Sequence, residues 1–433
     1  VNLFSAPVFR SPTTSTLRSS GEPEMATTSG GDQTKSAEMG MYPWRTALLT
    51  AGLVLLCLFL RRPEAFAHPT LWAEDGSVFL AQSESFGARA LVMPYNGYHH
   101  FLQRLIAMAV SPVDLRWIPL AYLLGSALTL TALVLALFSP RLTLRGRAFM
   151  ALALVLIPHS GEVHDNLTNV QWFGALGLLL LVLVRDPETW MQRLFDLTAT
   201  AILGLTGIFS LLFAPFFAWR WWRRRDLHSG MLAAIALTCA AVQAGAMFRI
   251  GVLAAQPWQI TGSITRTLAL RTFGSLTLPQ AIAQDLPTWT LVLLAGAMLG
   301  LIAQSLIIDS QHRTMQIVVL LSVFLLLAGT LYRFRGDVFV LRLLTDGDRY
   351  FYVPKVLLLW FFVWQLATRG FSAWAARSVC VCALIAALAS WRFEPYHDFG
   401  WAEHVAQLEH TREITVPINP SGMTVRLHAR RAP

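Results

Sequence analysis

Two acids stand side by side in the stretch His68-Pro-Thr-Leu-Trp72-Ala-Glu74-Asp75-Gly76, directly after the first apolar run of the chain. A carboxylate pair at a bilayer edge is costly to desolvate, so it must face water or a polar cavity. Two readings follow from the residues alone. The pair is either the acidic part of a site, or a solvated loop cap in which Asp-Gly makes a turn and Asp75 N-caps a helix beginning at Ser77. A second polar cluster, His159-Ser-Gly-Glu162-Val-His164-Asp165-Asn166-Leu-Thr-Asn169, lies between two apolar segments. An ordinary turn rarely needs two histidines, two acids and two asparagines so close together. Zinc could be drawn by His159, Glu162, His164 and Asp165, although that spacing in a loop is unspecific. A third cluster holds Arg333, Arg335, Arg342, Asp346, Asp348 and then Arg349-Tyr350-Phe-Tyr-Val-Pro-Lys355. Arginine and tyrosine at this level act as interface anchors or hold a lipid phosphate, which suits the guanidinium fork. Asp346-Gly-Asp348 has the look of a cation-binding pattern.

The elements that position these groups are set by composition. The chain has 433 residues, 55% hydrophobic and only 14% charged, against roughly 25% charged in soluble domains. Apolar runs recur along most of its length, which predicts an all-α, polytopic membrane helix bundle. The formal charge of +9 does not indicate nucleic acid, because the basic residues fall at the ends of apolar segments, as membrane topology demands. All but Lys35 and Lys355 are arginine, a bias that suits a GC-rich bacterial genome. Cys57, Cys239, Cys380 and Cys382 all sit in apolar runs and read as packing, not as a disulfide or metal framework.

A hydrocarbon core of about 30 Å needs about 20 apolar residues per helix. Candidate spans lie near 46–60, 117–138, 147–157, 169–184, 196–207, 208–222, 229–249, 288–307, 314–331, 351–367 and 373–390, about 11 in all. The stretch 196–222 is either one long helix or a hairpin broken at Gly204 and Gly207. The stretch 99–112, short and closed by Pro112, predicts a helix lying at the interface, as does the alternation from Ser77 to Val110. Counting arginines puts Arg141, Arg145, Arg147, Arg185, Arg193, Arg220, Arg223 to Arg225, Arg313, Arg369 and Arg377 on one face. With the N-terminus cytoplasmic, that face is the cytoplasmic one. The opposite, external face receives 61–116, 158–168, 250–287, 332–350 and the tail 391–433. Residues 1–45 are rich in Ser, Thr, Gly and Pro and predict a disordered cytoplasmic segment. The tail is soluble-like, and Ile414–Ile418 with Met423–Leu427 around Asn419-Pro-Ser-Gly422 predicts a small hairpin.

This arrangement resembles the GT-C superfamily of integral-membrane glycosyltransferases. The matching features are a first span followed by a long external loop that opens on Glu74-Asp75, surface helices after it, a second acidic external loop from Glu162 to Asn166, many spans and a polar external tail. The most specific motif is His68-Pro-x-x-Trp72-x-Glu74-Asp75-Gly76, and the likeness extends over roughly residues 45–430. Asp348-Arg-Tyr350 and the tail are similar to those of an uncharacterised bacterial branch of that superfamily.

The resemblance implies a polyprenyl-phosphate-linked sugar donor, a glycan or lipid acceptor and transfer with inversion, with membrane lipids around the site and no nucleic acid. Carried over, Asp75 is the expected catalytic base, with Glu74 second. His68, Trp72, Tyr95, His99, His100, Glu162, His164, Asp165 and Asn166 are the expected substrate-binding set, and Arg104, Arg342, Arg349 and Tyr350 the expected donor-phosphate set. Some such enzymes use a divalent cation, so Mg or Mn held by Asp75, Glu162 and Asp165 is a further expectation. A large external domain is missing from the pattern, which favours adding a single sugar to a glycan, lipid or cell-wall polymer over block transfer to protein. The implied location is the bacterial inner membrane, with the N-terminus cytoplasmic and the C-terminus periplasmic. A transporter or lipid flippase is the main alternative, since Gln171, Gln243 and Arg249 are polar groups within spans. An envelope polysaccharide polymerase or ligase is another.

Overall fold

The computed structural model describes residues 43–251, 263–309, 312–336, 341, 344–368 and 370–429. The chain divides into Val1–Pro43 and Trp44–Pro433, and the architecture belongs to the second unit. The expected disorder over 1–45 therefore lies outside the described residues, apart from Pro43 onward, which already opens the first helix.

Twelve helices of ten residues or more run through the described residues: α1 Pro43–Arg61, α2 Phe101–Val110, α3 Ile118–Leu137, α4 Arg147–Leu156, α5 Val170–Leu183, α6 Trp190–Gly204, α7 Phe209–Arg224, α8 Leu227–Ile250, α9 Thr288–Ile308, α10 Arg313–Arg333, α11 Arg349–Gln365 and α12 Phe371–Ala389. Each of the eleven apolar segments falls on one of them. Among the described residues six helices are long and apolar enough to cross a membrane: Trp44–Arg61, Leu115–Leu137, Leu227–Ile250, Thr288–Ile308, Arg313–Arg333 and Phe371–Ala389. By length and composition this is a multi-pass membrane protein. The other five segments are shorter, and the expected eleven spans are not matched one for one. In α5 and α11 nearly every side chain is buried. Their surroundings are protein, so lipid thickness does not dictate their length. The six long helices expose large apolar side chains instead, such as Leu49 and Phe59 of α1 and Leu128 of α3. Hydroxyls inside the spans return to their own backbone, Thr129 to the Gly125 carbonyl at 2.8 Å and Thr131 to that of Ala127 at 2.8 Å.

The stretch 196–222 is a broken hairpin. Gly207 adopts φ +77°, a conformation that favours glycine, and its amide donates to the His99 carbonyl at 2.9 Å. Residues 99–112 form α2, ten residues long and so only roughly 15 Å, too short to cross.

Polar groups gather at the two ends of the bundle. At one end Arg141 makes a two-pronged bond to Asp196, 3.0 and 2.5 Å, and Asp196 also meets His228 at 3.1 Å. Arg220 joins Asp186 at 3.2 Å and the Leu181 carbonyl at 2.8 Å. At the other end the buried Arg61, closing α1, donates to the carbonyls of Val155, Ser390 (3.0 Å) and Trp391 (2.8 Å). One guanidinium thereby pins α1 to the ends of α4 and α12, filling carbonyls that helix termini leave open.

The tail folds back onto this second end. Strands β1 Glu413–Ile418 and β2 Met423–His428 pair antiparallel and bury Val416, Ile418, Val425 and Leu427. The hairpin is stitched to the first loop by Asn419, whose carbonyl accepts from the Ala73 amide at 2.5 Å and whose amide donates to Leu71 at 3.1 Å. Gly76 makes that approach possible: a Cβ there would lie 2.9 Å from Ile418 Cδ1 and 3.3 Å from Val425 Cβ. Gly76→Val should therefore lift the hairpin off the first loop, at a cost of about 1–3 kcal/mol for overpacking. Limited proteolysis should then cut the tail faster while the helices stay protected. An unchanged digestion pattern would show that the contact is not needed to seat the tail.

Candidate functional site

The two acids of the first loop have separate surroundings. Asp75 begins a π-helical turn, Asp75–Leu80, and is 1% exposed. Its carboxylate does not cap its own helix. Oδ1 accepts from the amide and hydroxyl of Thr168, both at 2.6 Å, and Oδ2 from the Leu167 amide at 3.1 Å. Burial pushes its pKa up to about 7, against the pull of those donors. Asp75 ties the first loop to the second. Glu74 instead borders a cavity of about 740 Å³, and the Tyr95 hydroxyl donates to its Oε1 at 3.3 Å.

That cavity is amphipathic. Its apolar part is built by Ile208, Phe209, Leu211 and Leu212 of the α7 start and by Leu325, Leu326, Ala328 and Gly329 of α10. Its polar part carries Glu74, Tyr95, Tyr98, His100, Asn169, Gln171, Arg333, Arg335, Arg349 and Tyr350. From Arg333 down to Leu325 is roughly 12 Å along α10, so the chamber reaches well into the bundle. His100 stacks on Tyr98 at 4.5 Å, and burial lowers its pKa to about 3, which leaves the ring neutral.

The second loop is a hydrogen-bonded plug. Asn166 donates to the carbonyls of Glu162 at 2.8 Å and His164 at 2.7 Å. His164 is sealed beneath Phe393, stacked at 5.4 Å, with Nε2 3.1 Å from the Leu154 carbonyl. Asp165 pairs with Arg62 at 3.0 Å, and burial raises its pKa to about 6. Glu162 forms an ion pair with Arg349 and also accepts from the Arg349 amide at 3.3 Å; burial raises its pKa and Arg349 opposes the shift.

Asp348 fixes the third loop. It is buried and accepts from the Ser160 amide at 2.7 Å and Lys355 Nζ at 3.2 Å, with His159 at 3.3 Å and Arg271 at 3.7 Å. Burial alone would raise its pKa, but His159, Lys355 and Arg271 hold the carboxyl well below the usual range. Arg271 also clamps the carbonyls of Leu344 at 3.1 Å and Asp346 at 2.5 Å. With Asp348 so held, the next residue, Arg349, is delivered to the cavity at the start of α11.

Of the expected substrate-binding set, Tyr95 and His100 border the 740 Å³ cavity, together with Arg349 and Tyr350 of the phosphate set. Trp72 and Glu162 border a second chamber of about 610 Å³. His68 is exposed, 3.5 Å from Asp398. His99 engages Gln243 through its backbone, at 2.7 and 3.2 Å. His164, Asp165 and Asn166 serve the plug. Arg104 is buried over the Phe79 ring at 5.6 Å, and Arg342 lies outside the described residues. The acids expected to hold Mg or Mn do not converge: Asp75, Glu162 and Asp165 engage Thr168, Arg349 and Arg62 respectively. Among the described residues no group of three or more His, Cys, Asp or Glu is placed to hold a metal ion. Sequence reasoning missed Tyr98, Asn169 and Trp172 in the cavity wall, and Arg62 and Arg271 as clamps. Only a basic residue just past an apolar run could have signalled Arg62.

The chain matches no protein-family model, no curated protein and no solved structure.

Asp75 generates a pH dependence of stability. Its pKa in the folded chain is about 7 against an ordinary 3.8, so the folded state holds this proton more tightly. The stability it contributes is complete below about pH 4 and is lost as pH rises through about 7. Thermal melts in detergent across that window should show the wild-type Tm falling with rising pH relative to Asp75→Asn. A constant difference between the two would mean that Asp75 titrates as an ordinary carboxylate.

Proposed function

We propose that the chain is an inverting glycosyltransferase of GT-C type that moves a sugar from a polyprenyl-phosphate donor to an acceptor on the external face of a bacterial inner membrane. The observation that carries this reading is the amphipathic cavity, apolar where it enters the bundle, with Arg333, Arg335 and Arg349 beside one carboxylate, Glu74, at its polar end. An isoprenoid chain matches the apolar part, and arginines suit a phosphate.

Between the two acids, geometry favours Glu74 as the base. Asp75 has both oxygens engaged by the second loop, whereas Glu74 borders the cavity with a single tyrosine donor. In the transfer, Glu74 takes the proton of an acceptor hydroxyl while that oxygen bonds to the anomeric carbon from the face opposite the phosphate. The bond from anomeric carbon to phosphate oxygen breaks, and its electron pair leaves on the polyprenyl phosphate. Charge growing on the departing phosphate is stabilised by Arg349 and Arg333. An oxocarbenium-like transition state follows, as in glycoside hydrolysis.

Glu74→Gln should keep the fold and lower transfer by about 10²- to 10⁴-fold, read with purified protein and a panel of polyprenyl-phosphate sugars. Wild-type turnover in that variant would remove Glu74 from the chemistry and favour a polymerase or ligase run by the arginines. No transfer from any donor by the wild type would favour a flippase, the apolar chamber then holding a lipid in transit. Arg349→Ala should raise the donor KM by about 10- to 100-fold, the equivalent of about 1.5–3 kcal/mol for a charged hydrogen bond. An unchanged donor KM would take Arg349 out of the phosphate site.

A further inference from the structure

The second chamber, about 610 Å³, has a different character from the first. It is walled by the first, second and third loops and by the tail, through Trp72, Glu162, Asp346, Glu394, Tyr396 and Ser421. No leucine, isoleucine or valine is among these wall residues. The Trp72 and Tyr396 rings pack against each other at a tilt of 33°, centroids 5.1 Å apart, and the Arg62 guanidinium lies 4.1 Å over the Tyr396 ring. The same wall holds three acids, Glu162, Asp346 and Glu394, with His397 and Arg62, whose guanidinium is occupied by Asp165 at 3.0 Å and the Glu394 carbonyl at 2.9 Å.

The two chambers are complementary in charge. With the Glu162–Arg349 and Arg62–Asp165 pairs set aside, the first has Arg333 and Arg335 beside Glu74, and the second has Asp346 and Glu394. A phosphate is attracted to the first and repelled by the second. They meet at the Glu162–Arg349 ion pair, Arg349 on the wall of one and Glu162 on the wall of the other. What suits an indole ringed by carboxylate acceptors is an uncharged polyol, its C–H face on Trp72 and its hydroxyls donating to the acids. A lipid tail would find no leucine, isoleucine or valine to bury against.

We infer that the second chamber is the binding site of a neutral saccharide, and that the C-terminal hairpin exists to build its outer wall. This rests on the transferase reading only in identifying that saccharide as the acceptor. It selects a glycan over a lipid acceptor, and it makes the Glu162–Arg349 pair the partition that an acceptor hydroxyl must pass to reach Glu74.

Saturation-transfer NMR tests this without any donor. The full chain in nanodiscs would be mixed at millimolar concentration with the methyl glycosides of glucose, galactose, mannose and N-acetylglucosamine. Wild type should pass saturation to at least one of them, and Ser421→Trp, an exposed position at the hairpin turn that fills the chamber, should lose the signal. Trp72→Ala, which removes the indole from the wall, should lose it as well. Silence with all four glycosides, or equal signals in wild type and Ser421→Trp, would overturn the site. Glycoside binding combined with no sugar transfer would uphold the chamber and sink only the transferase reading. Sugar transfer with no glycoside binding would do the reverse.

Discussion

Both chambers depend on the burial of one carboxylate. Asp75 is removed from water and held by two amides and a hydroxyl of a loop more than ninety residues further along the chain. Leaving such a group without donors would cost several kcal/mol. The first and second loops are therefore locked in one register. That lock sets Glu74, the preceding residue, on the wall of the larger cavity, and sets Thr168 and Asn169 opposite it on the same wall. The tail acts on the other side of the motif, where Asn419 bridges to Trp72. Two segments distant in sequence, the second loop and the tail, thus converge on five residues, Trp72 to Gly76.

The same logic governs the third loop. Asp348 is surrounded by Lys355, Arg271 and His159, and every member of that cluster also bonds backbone from another segment or sits against it, Lys355 reaching the Pro158 carbonyl at 2.8 Å. Buried ion clusters contribute little net stability compared with apolar packing, but they penalise any arrangement that separates their members. Here the consequence is positional. The register of α11, a helix with no lipid-facing side, is fixed at its first turn, and with it the place of Arg349 and Tyr350. A purely apolar contact would tolerate a slip by a turn; a buried Asp348 would not.

Helix identity was legible in the sequence because apolar runs and their arginine-bearing ends are local signals. The eleven segments, the break at Gly204 to Gly207 and the β-hairpin around Asn419-Pro-Ser-Gly422 all follow from neighbours within a few residues. The number of true membrane crossings was less legible: a buried helix such as α5 reads as apolar as a lipid-facing one, and burial by other helices is a tertiary fact. The site was legible in part. Composition marked Glu74-Asp75, the 159–169 loop and Arg349 as out of place in a membrane protein. It could not rank Glu74 against Asp75, since what separates them is backbone amides of Leu167 and Thr168, groups that carry no sequence signature. For the same reason the loop histidines looked like ligands, while His164 spends its ring nitrogen on the Leu154 carbonyl and its face on Phe393.

The polar groups at the two ends of the bundle follow one pattern with opposite outcomes. At the Arg141–Asp196–His228 end the charges satisfy one another and close the structure, leaving a neutral joint between α6, α8 and the loops near 141 and 185. At the Asp75 end the Glu162–Arg349 pair cancels across the partition, and the groups beyond it are sorted: Arg333 and Arg335 with Glu74 around an opening that is apolar below, Asp346 and Glu394 around one without leucine, isoleucine or valine. Packing alone gives no reason to separate like-charged groups into neighbouring chambers, because each concentration of one sign raises the electrostatic self-energy. The segregation is stabilised only by what the loops are tied to, Asp75 to Thr168 on one side and Asp348 to Ser160 on the other. A bundle that needed only to span a membrane could have dispensed with both ties, and with the tail that Gly76 admits.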